Sequence, residues 1–501
     1  MTYLNFVSFF GIFGLCFVAW IFSEDRRIIP WRVIIWGIGL QLVLGYLVFQ
    51  QPQTREFLRW FSGLLDSIFN AADTGANFVF GKNIVPLPSK PADINLGYIF
   101  AFRALPAVIF FSGLMALLEN LGIIQKIVDV FAKLFFWTMR LSGAEALSGA
   151  ANIFVGIEAA IVVKPYLPKM TRSELCAILA CCFGTAASST LAIYVSFLKP
   201  VFPNILGHLV SASIIAIPAC FVLSKIIVPE TGVPLTMGGI PKEDKSKRFA
   251  DDGELENAGG ETMKRMSPMD ATIIGALDGL KMAASIAAIL ILIVGLVNLV
   301  DQIFAWLATI SDIFGKDRIN LQNIQGALFY PLTLLTGVSL DDSWKASVII
   351  GRRLLETAIP PYQALAQAAQ AGEISDRTVI IVSYALSGFA HLASVGIFVG
   401  GTIALIPSRR RDISDLGWKA LFVGTLATLM IACIAGVFDD GSPSILGEKK
   451  AQPVQVKPSA PTSPSASPIV PPSASPSPSP TNISPAPTAS PKASPSLPTP
   501  R

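Results

Sequence analysis

The chain has 501 residues, of which 52% are apolar and only 14% charged, with a formal net charge of +4. An average soluble domain is a little under half apolar and about a quarter charged, so an ordinary soluble enzyme, a nucleic-acid binder and a secreted disulfide protein are excluded. The averages also hide two unlike parts. Between Gly441 and Arg501, 61 residues dominated by Pro, Ser, Ala and Thr hold 17 of the 36 prolines, a composition that buries no core and predicts a disordered tail.

A helix crossing a bilayer core of roughly 30 Å needs about 20 apolar residues. Eight segments meet that need, at 4–22, 30–50, 97–118, 175–197, 205–228, 270–299, 378–405 and 415–437. The first has no basic region before it and no small-x-small cleavage site, and Arg26 and Arg27 follow its apolar run, so it reads as a retained span. Residues 54–80 and 120–140 are amphipathic and fall short of a span, the pattern of interfacial helices. The connection 229–269, rich in Gly, Lys, Asp and Glu, reads as a mobile linker between two halves.

If the spans alternate, one side receives Arg26, Arg27 and Arg32, then Lys164, Lys169 and Arg172, the basic residues of the linker, and Arg409 to Arg411. The positive-inside rule makes that side cytoplasmic, with both termini outside and the chain in the cell (plasma or inner) membrane. The expected organisation is 1–50 as two spans of a scaffold, 51–96 as an interfacial helix and loop, and 97–228 as the third to fifth spans with a first hairpin. The linker 229–269, the sixth to eighth spans with a second hairpin at 270–440, and the tail 441–501 follow. The fold class is an all-α polytopic membrane protein.

Two segments are informative because they fail as spans. Residues 144–168 are interrupted by Gly149, Gly156 and Pro165, and residues 345–366 by Gly351, Arg352-Arg353 and Pro360-Pro361. They occupy matching places in the two halves, each with an acid (Glu158, Glu356) and then a Pro-Tyr pair. The next span in each half contains a glycine among small and hydroxyl residues, Gly184 in FGTAASS and Gly388 in LSGFAHLAS. Short Gly/Pro-broken segments at corresponding places mark a secondary transporter with inverted repeats, whose half-helix ends meet substrate and ion near the midplane.

A carboxylate at membrane depth costs about 2.5–3.5 kcal/mol, so Glu158 in ANIFVGIEAAIVV reads as facing a cavity or a partner such as Arg103. Asn152, Thr185 and Ser188 offer the neutral oxygens that hard cations prefer, or polar contacts between helices. His391 lies in a broken span beside Ser387 and Ser394, where its titration range permits proton coupling. His208 reads as interfacial, and Glu145, Glu119 and Lys281 as snorkelling span ends without a role. The six cysteines sit in apolar stretches without ligand spacing and read as buried hydrophobes. Without a paired aspartate, a Ser-His or Cys-His arrangement or a metal cluster, an enzyme is not expected.

Several long motifs together resemble one family, the concentrative nucleoside transporters. They are FSEDRRIIPWRVIIWGIGLQLVLG at 22–45, GYIFAFRALPAVIFFSGLMALLENLGI at 97–123 and SGAEALSGAANIFVGIEAAIVVKPYLPKMTRSEL at 142–175. SGFAHLASVGIFVGG at 387–401 and RRRDISDLGWKALFVGTLATLMIACIAGVF at 409–438 complete the set. The resemblance implies a homotrimer of protomers with scaffold and transport domains, the latter holding two re-entrant hairpins and two partly unwound helices. It implies cation-coupled nucleoside uptake by alternating access, with no cofactor besides the coupling ion and no nucleic-acid partner. Carried over by position, the cation site would be Asn152, the Val155 backbone, Thr185 and the Ala186 carbonyl, a set that favours sodium over protons.

The resemblance places substrate contacts at Glu158, Ile157, Glu356, Thr357, Phe389, His391 and Ser394, where the chain departs from the family pattern. The family's Gly-Gln-Thr-Glu-Ala-Pro is replaced by Gly156-Ile157-Glu158-Ala159-Ala160, without the Gln-Thr pair. Its Asn-Glu or Thr-Glu is replaced by Thr357-Ala358, with Glu356 two positions from the missing acid, and an asparagine is replaced by His391. Each lost buried contact is worth roughly 1–3 kcal/mol, enough to change substrate preference. Three functions follow: a sodium-coupled nucleoside symporter, a proton-coupled transporter of a modified nucleoside or nucleobase, and a non-transporting sensor on the same fold.

Overall fold

A computed structural model describes residues 3–87, 89, 99–154, 156, 158–164, 166–186, 188–237, 254–256, 262–264, 267–310, 320–441 and 445. The body is helical. The first half runs α1 (Tyr3–Ile21), α2 (Trp31–Phe49), α3 (Pro52–Phe80), α4 (Phe100–Asn120), α5 (Ile123–Met139), α6 (Gly143–Ala151), α7 (Glu158–Ile161), α8 (Arg172–Gly184), α9 (Ser188–Leu198) and α10 (Ile205–Ile227). The second half runs α11 (Pro268–Ile310), α12 (Leu321–Leu335), α13 (Leu340–Glu356), α14 (Ile359–Gln370), α15 (Asp376–Ala385), α16 (Leu392–Leu405) and α17 (Arg410–Phe438). Within the linker sequence, Glu254–Glu256 and Thr262–Lys264 pair as a short antiparallel ribbon. The tail beyond 445 lies outside the described residues.

Six described helices are long and apolar enough to cross a membrane, including Ile205–Ile227 and the stretches Pro268–Phe304 and Pro407–Phe438. The other two segments expected as spans are each split in two, α8 from α9 after Gly184 and α15 from α16 between Leu386 and His391. Both segments expected as failed spans turn back on themselves, α6 with α7 and α13 with α14. Helix α12 fills a stretch in which no helix was expected.

The core is built around α10 and α17, which are buried nearly all round. A helix apolar on every face is buried or membrane-spanning, and here both hold. Close approach rests on small residues, as in other membrane bundles. A Cβ on Gly436 would stand 2.8 Å from the Thr336 carbonyl, and one on Gly424 would stand 2.4 Å from the Phe183 Cβ. Helix α1 is part of this core, since the Asn5 amide donates to the Val437 and Asp439 carbonyls at 2.8 Å each.

Residues from three of the four expected basic connections gather at one end of the bundle. Glu24 pairs with Arg172 at 3.0 Å and with Lys419, Arg172 also meets Asp412 at 3.7 Å, and the Glu24 amide donates to the Ile227 carbonyl. Arg409 donates to the Met170 carbonyl at 2.9 Å. Burial pushes the Glu24 carboxyl up, but hydrogen bonds from Arg172 and Lys419 outweigh it and hold it below its usual range.

Two expectations are corrected by packing. His208 is not interfacial: it is buried between Phe49 and Phe202, and its Nδ1 lies 3.0 Å from the Tyr384 hydroxyl. Glu145 does not snorkel. It is buried against Lys225 at 2.5 Å while closing a capping box with Ser142 at the start of α6. Both misreadings have one cause, because a polar residue near a span end faces water or a partner depending on helices distant in sequence.

Candidate functional site

The two broken helices cross where they unwind. α8 ends at Gly184 and leaves Thr185 extended, with its carbonyl free of the helix. That carbonyl accepts the Phe389 amide at 3.2 Å. Gly388 permits the crossing: a Cβ there would stand 2.8 Å from the carbonyl oxygens of both Phe183 and Gly184. The backbone here is unwound inside the membrane but buried in protein, the condition under which such backbone is tolerated.

The tip of the first hairpin meets the last turn of α8, where the Cys182 thiol lies 4.0 Å from the Gly156 carbonyl. Asn152 caps α6 just before that tip and is fully buried. Its amide nitrogen donates to the Ser148 carbonyl at 3.1 Å, while its Oδ1 has no partner among the described residues. A buried acceptor without a donor costs about 1–3 kcal/mol, so this oxygen fits a cation. Thr185 is buried and donates its hydroxyl to the Cys181 carbonyl at 2.8 Å, and Ala186 is buried beside it. Val155, Ile157 and the Glu158 side chain lie outside the described residues. Arg103, a partner considered for Glu158, pairs with Asp73 at 3.6 Å.

Next to the crossing lies a cavity of about 180 Å³. Gly156 and Thr357 contribute the hairpin tips, Thr190 and Tyr194 come from α9, and His391 and Ser394 come from the start of α16. Phe389 and Phe398 contribute aromatic rings to the lining, and Met282, Ile286, Ile289 and Leu290 of α11 contribute apolar side chains. Four expected substrate contacts, Thr357, Phe389, His391 and Ser394, therefore share one cavity. Glu356 does not join them. It is buried and held by Arg352 through three hydrogen bonds of 2.8–3.1 Å.

His391 is the N-cap of α16, its Nδ1 accepting the Ser394 amide at 3.2 Å, with the Ser394 hydroxyl 3.0 Å from Nε2. Thr357 stands at φ 68° and ψ −175°, a region that is essentially glycine's own. The sequence reading missed Tyr194, Thr190 and the α11 wall. Only the hydroxyls in an apolar span signalled the first two, and nothing local marks one face of α11.

Two re-entrant hairpins and two interrupted helices around one cavity define the class, a secondary transporter. Known proteins narrow it. The description "Na+ dependent nucleoside transporter C-terminus" matches residues 208–436, the corresponding N-terminus matches 10–83, and "Nucleoside recognition" matches 101–201. Mouse solute carrier family 28 member 3 is 33% identical over 87% of this chain and 59% of its own length. An uncharacterized transporter of Haemophilus influenzae is 34% identical over 86% of this chain and 97% of its own. The structure of CNTnw in an inward-facing substrate-bound state superposes with a TM-score of 0.76 at 32% identity, covering 87% of this chain and 98% of that one. A CNTnw variant in an outward-facing state superposes equally well. The chain belongs to the concentrative nucleoside transporter family and is an integral membrane protein.

Proposed function

We propose that this protein is a sodium-coupled symporter that takes up nucleosides by alternating access, working as a homotrimer with its basic face cytoplasmic and both termini outside. The observation that carries the reading is the cavity itself, lined by both hairpin tips, by the starts of both second half-helices and by α11. Sodium occupies the site of Asn152, Thr185, Ala186 and Val155. By filling the place of a missing donor at Asn152 Oδ1, it ties the first hairpin to α8 and prepares the cavity beside it. Glu158, Ile157, Thr357, Phe389, His391 and Ser394 face the solute, with the Phe389 ring against its base.

One observation supports sodium over the proton. His391 Nδ1 accepts a backbone N–H, which requires that nitrogen to be unprotonated, and protonating it breaks the cap of α16. Uptake of labelled nucleosides into vesicles, with and without a sodium gradient at several pH values, tests the reading. Uptake that follows sodium supports it. Uptake that follows pH alone replaces it with the proton-coupled alternative, and no gradient-dependent uptake across a nucleoside and nucleobase panel removes both.

A further inference from the structure

Helix α5 carries two apolar faces and one charged face, and only one of the apolar faces is covered. Ile124, Val128, Phe135 and Met139 are buried on one side. On another side Ile123, Val130 and Trp137 recur every seven residues, a spacing that puts them on one stripe, with Ile127 beside them. All four are exposed, Val130 at 64% and Trp137 at 82%. Lys126, Lys133 and Arg140 repeat the same interval three positions later, so each residue of the heptad stripe has a cation as its helical neighbour. The three cations are exposed, and among the described residues none of them is in an ion pair. Asp129, the single acid of α5, pairs with neither lysine.

Packing places these stripes at a defined end of the bundle. The Phe135 ring meets Phe221 with 6.3 Å between centroids, and a Cβ on Gly37 would stand 3.0 Å from the Met139 methyl. Arg140 follows as the C-cap, two residues before Ser142, whose amide donates to Glu145, the partner of Lys225. The C-terminal end of α5 therefore lies with the last turns of α10, at the end where the Glu24 amide meets the Ile227 carbonyl. That is the basic end of the molecule. An exposed apolar stripe edged by cations suits a helix lying in a bilayer interface, its apolar side chains among acyl chains and its cations at the headgroups. We propose that this face of α5 is a docking surface for phospholipids with anionic headgroups, answered by Lys126, Lys133 and Arg140. Charge complementarity selects this occupant, because a zwitterionic headgroup brings no net charge to three unanswered cations and an anionic one does. Since Arg140 leads directly into α6, the bound lipid lies at the root of the first hairpin. The proposal depends on neither the solute nor the coupling ion.

In the test, full-length protein delipidated in neutral detergent is titrated with phosphatidylglycerol and with phosphatidylcholine, and binding is read by thermal shift. One cation at an anionic surface is worth about fivefold in affinity, so wild type should bind phosphatidylglycerol at least about tenfold more tightly. K126Q/K133Q/R140Q should lose that preference, and K126R/K133R should keep it. R410Q/R411Q neutralises two other exposed cations outside α5 and should keep it as well. Equal affinity for the two lipids in wild type, or a preference unchanged in K126Q/K133Q/R140Q, overturns the proposal. A preference lost equally in R410Q/R411Q also overturns it, since it then belongs to the whole basic end. A second measurement needs no charge variant: the Trp137 signal, taken as wild type less W137F, is followed in nanodiscs containing brominated lipids. Stronger quenching by brominated phosphatidylglycerol than by brominated phosphatidylcholine supports the proposal, and equal quenching overturns it. Quenching by neither overturns it too, and a change of oligomeric state in K126Q/K133Q/R140Q would then assign the face to a second copy of the chain.

Discussion

Thr357 holds a left-handed, extended conformation at the tip of the second hairpin, in the wall of the cavity. For a β-branched residue this costs about 1–3 kcal/mol, and only surrounding structure keeps it there. Thr357→Gly is therefore expected to raise thermal stability by about 1 kcal/mol, the strain relieved less the entropy glycine loses on folding. Thr357→Ala keeps the strain and should give no such gain, and melting curves of the two variants check the difference. Asn152 shows the opposite economy, a buried oxygen without a donor among the described residues, which the proposed function fills with an ion. Asn152→Leu removes the orphaned acceptor, so the melting temperature without sodium should hold or rise while the sodium-dependent increase disappears. A sodium shift that persists in Asn152→Leu would place the ion elsewhere.

At the scale of elements, the crossing of the broken helices depends on a missing side chain. Gly388→Ala puts a methyl group against two carbonyl oxygens and 2.6 Å from the Thr428 methyl. Overpacking of this kind costs about 1–3 kcal/mol, and because the crossing connects both candidate sites, uptake should fall more than expression does. The cap of α16 is separable from it. His391→Ala removes the acceptor for the Ser394 amide and should cost about 1 kcal/mol, whereas His391→Asn supplies another acceptor and should restore most of it. Comparing melting temperatures of the two variants isolates the cap, and comparing their pH profiles of uptake tests whether the imidazole carries a coupling proton.

For the whole molecule, the ion-pair cluster at the basic end joins α1, α8 and α17 through Glu24. Its carboxyl titrates below the ordinary value near about 4.3. A depressed carboxylate contributes stability that is present above its unfolded value and is lost as pH falls through the folded one. Wild type should therefore lose stability on acidification through the range below that ordinary value. Glu24→Gln should be less stable near neutrality and lose less on acidification, which melting curves from neutral pH to below pH about 4 would reveal. High salt should weaken the contribution, since these groups are partly exposed.

Six of the eight spans were legible because a bilayer demands long apolar runs, and composition alone reports them. The two broken spans and both hairpins were legible too, since Gly184 ends α8, Gly388 lies in the break between α15 and α16, and the Pro360-Pro361 pair opens α14 through local backbone chemistry. Asn152, Thr357, His391 and Ser394 stood out as polar groups where polarity is costly. Other features were decided only by packing. The partners of His208 and Glu145 lie on helices distant in sequence, and the α11 wall has no local marker. Arg352 and Arg353 are adjacent and chemically identical, yet one holds Glu356 while the other is buried without a counter-charge among the described residues. The sequence determined where helices run and break, because those are local and solvent-driven choices. Which polar group meets which was decided by tertiary structure, because one residue's rotation about a helix axis sends a charge either to a carboxylate or into the core.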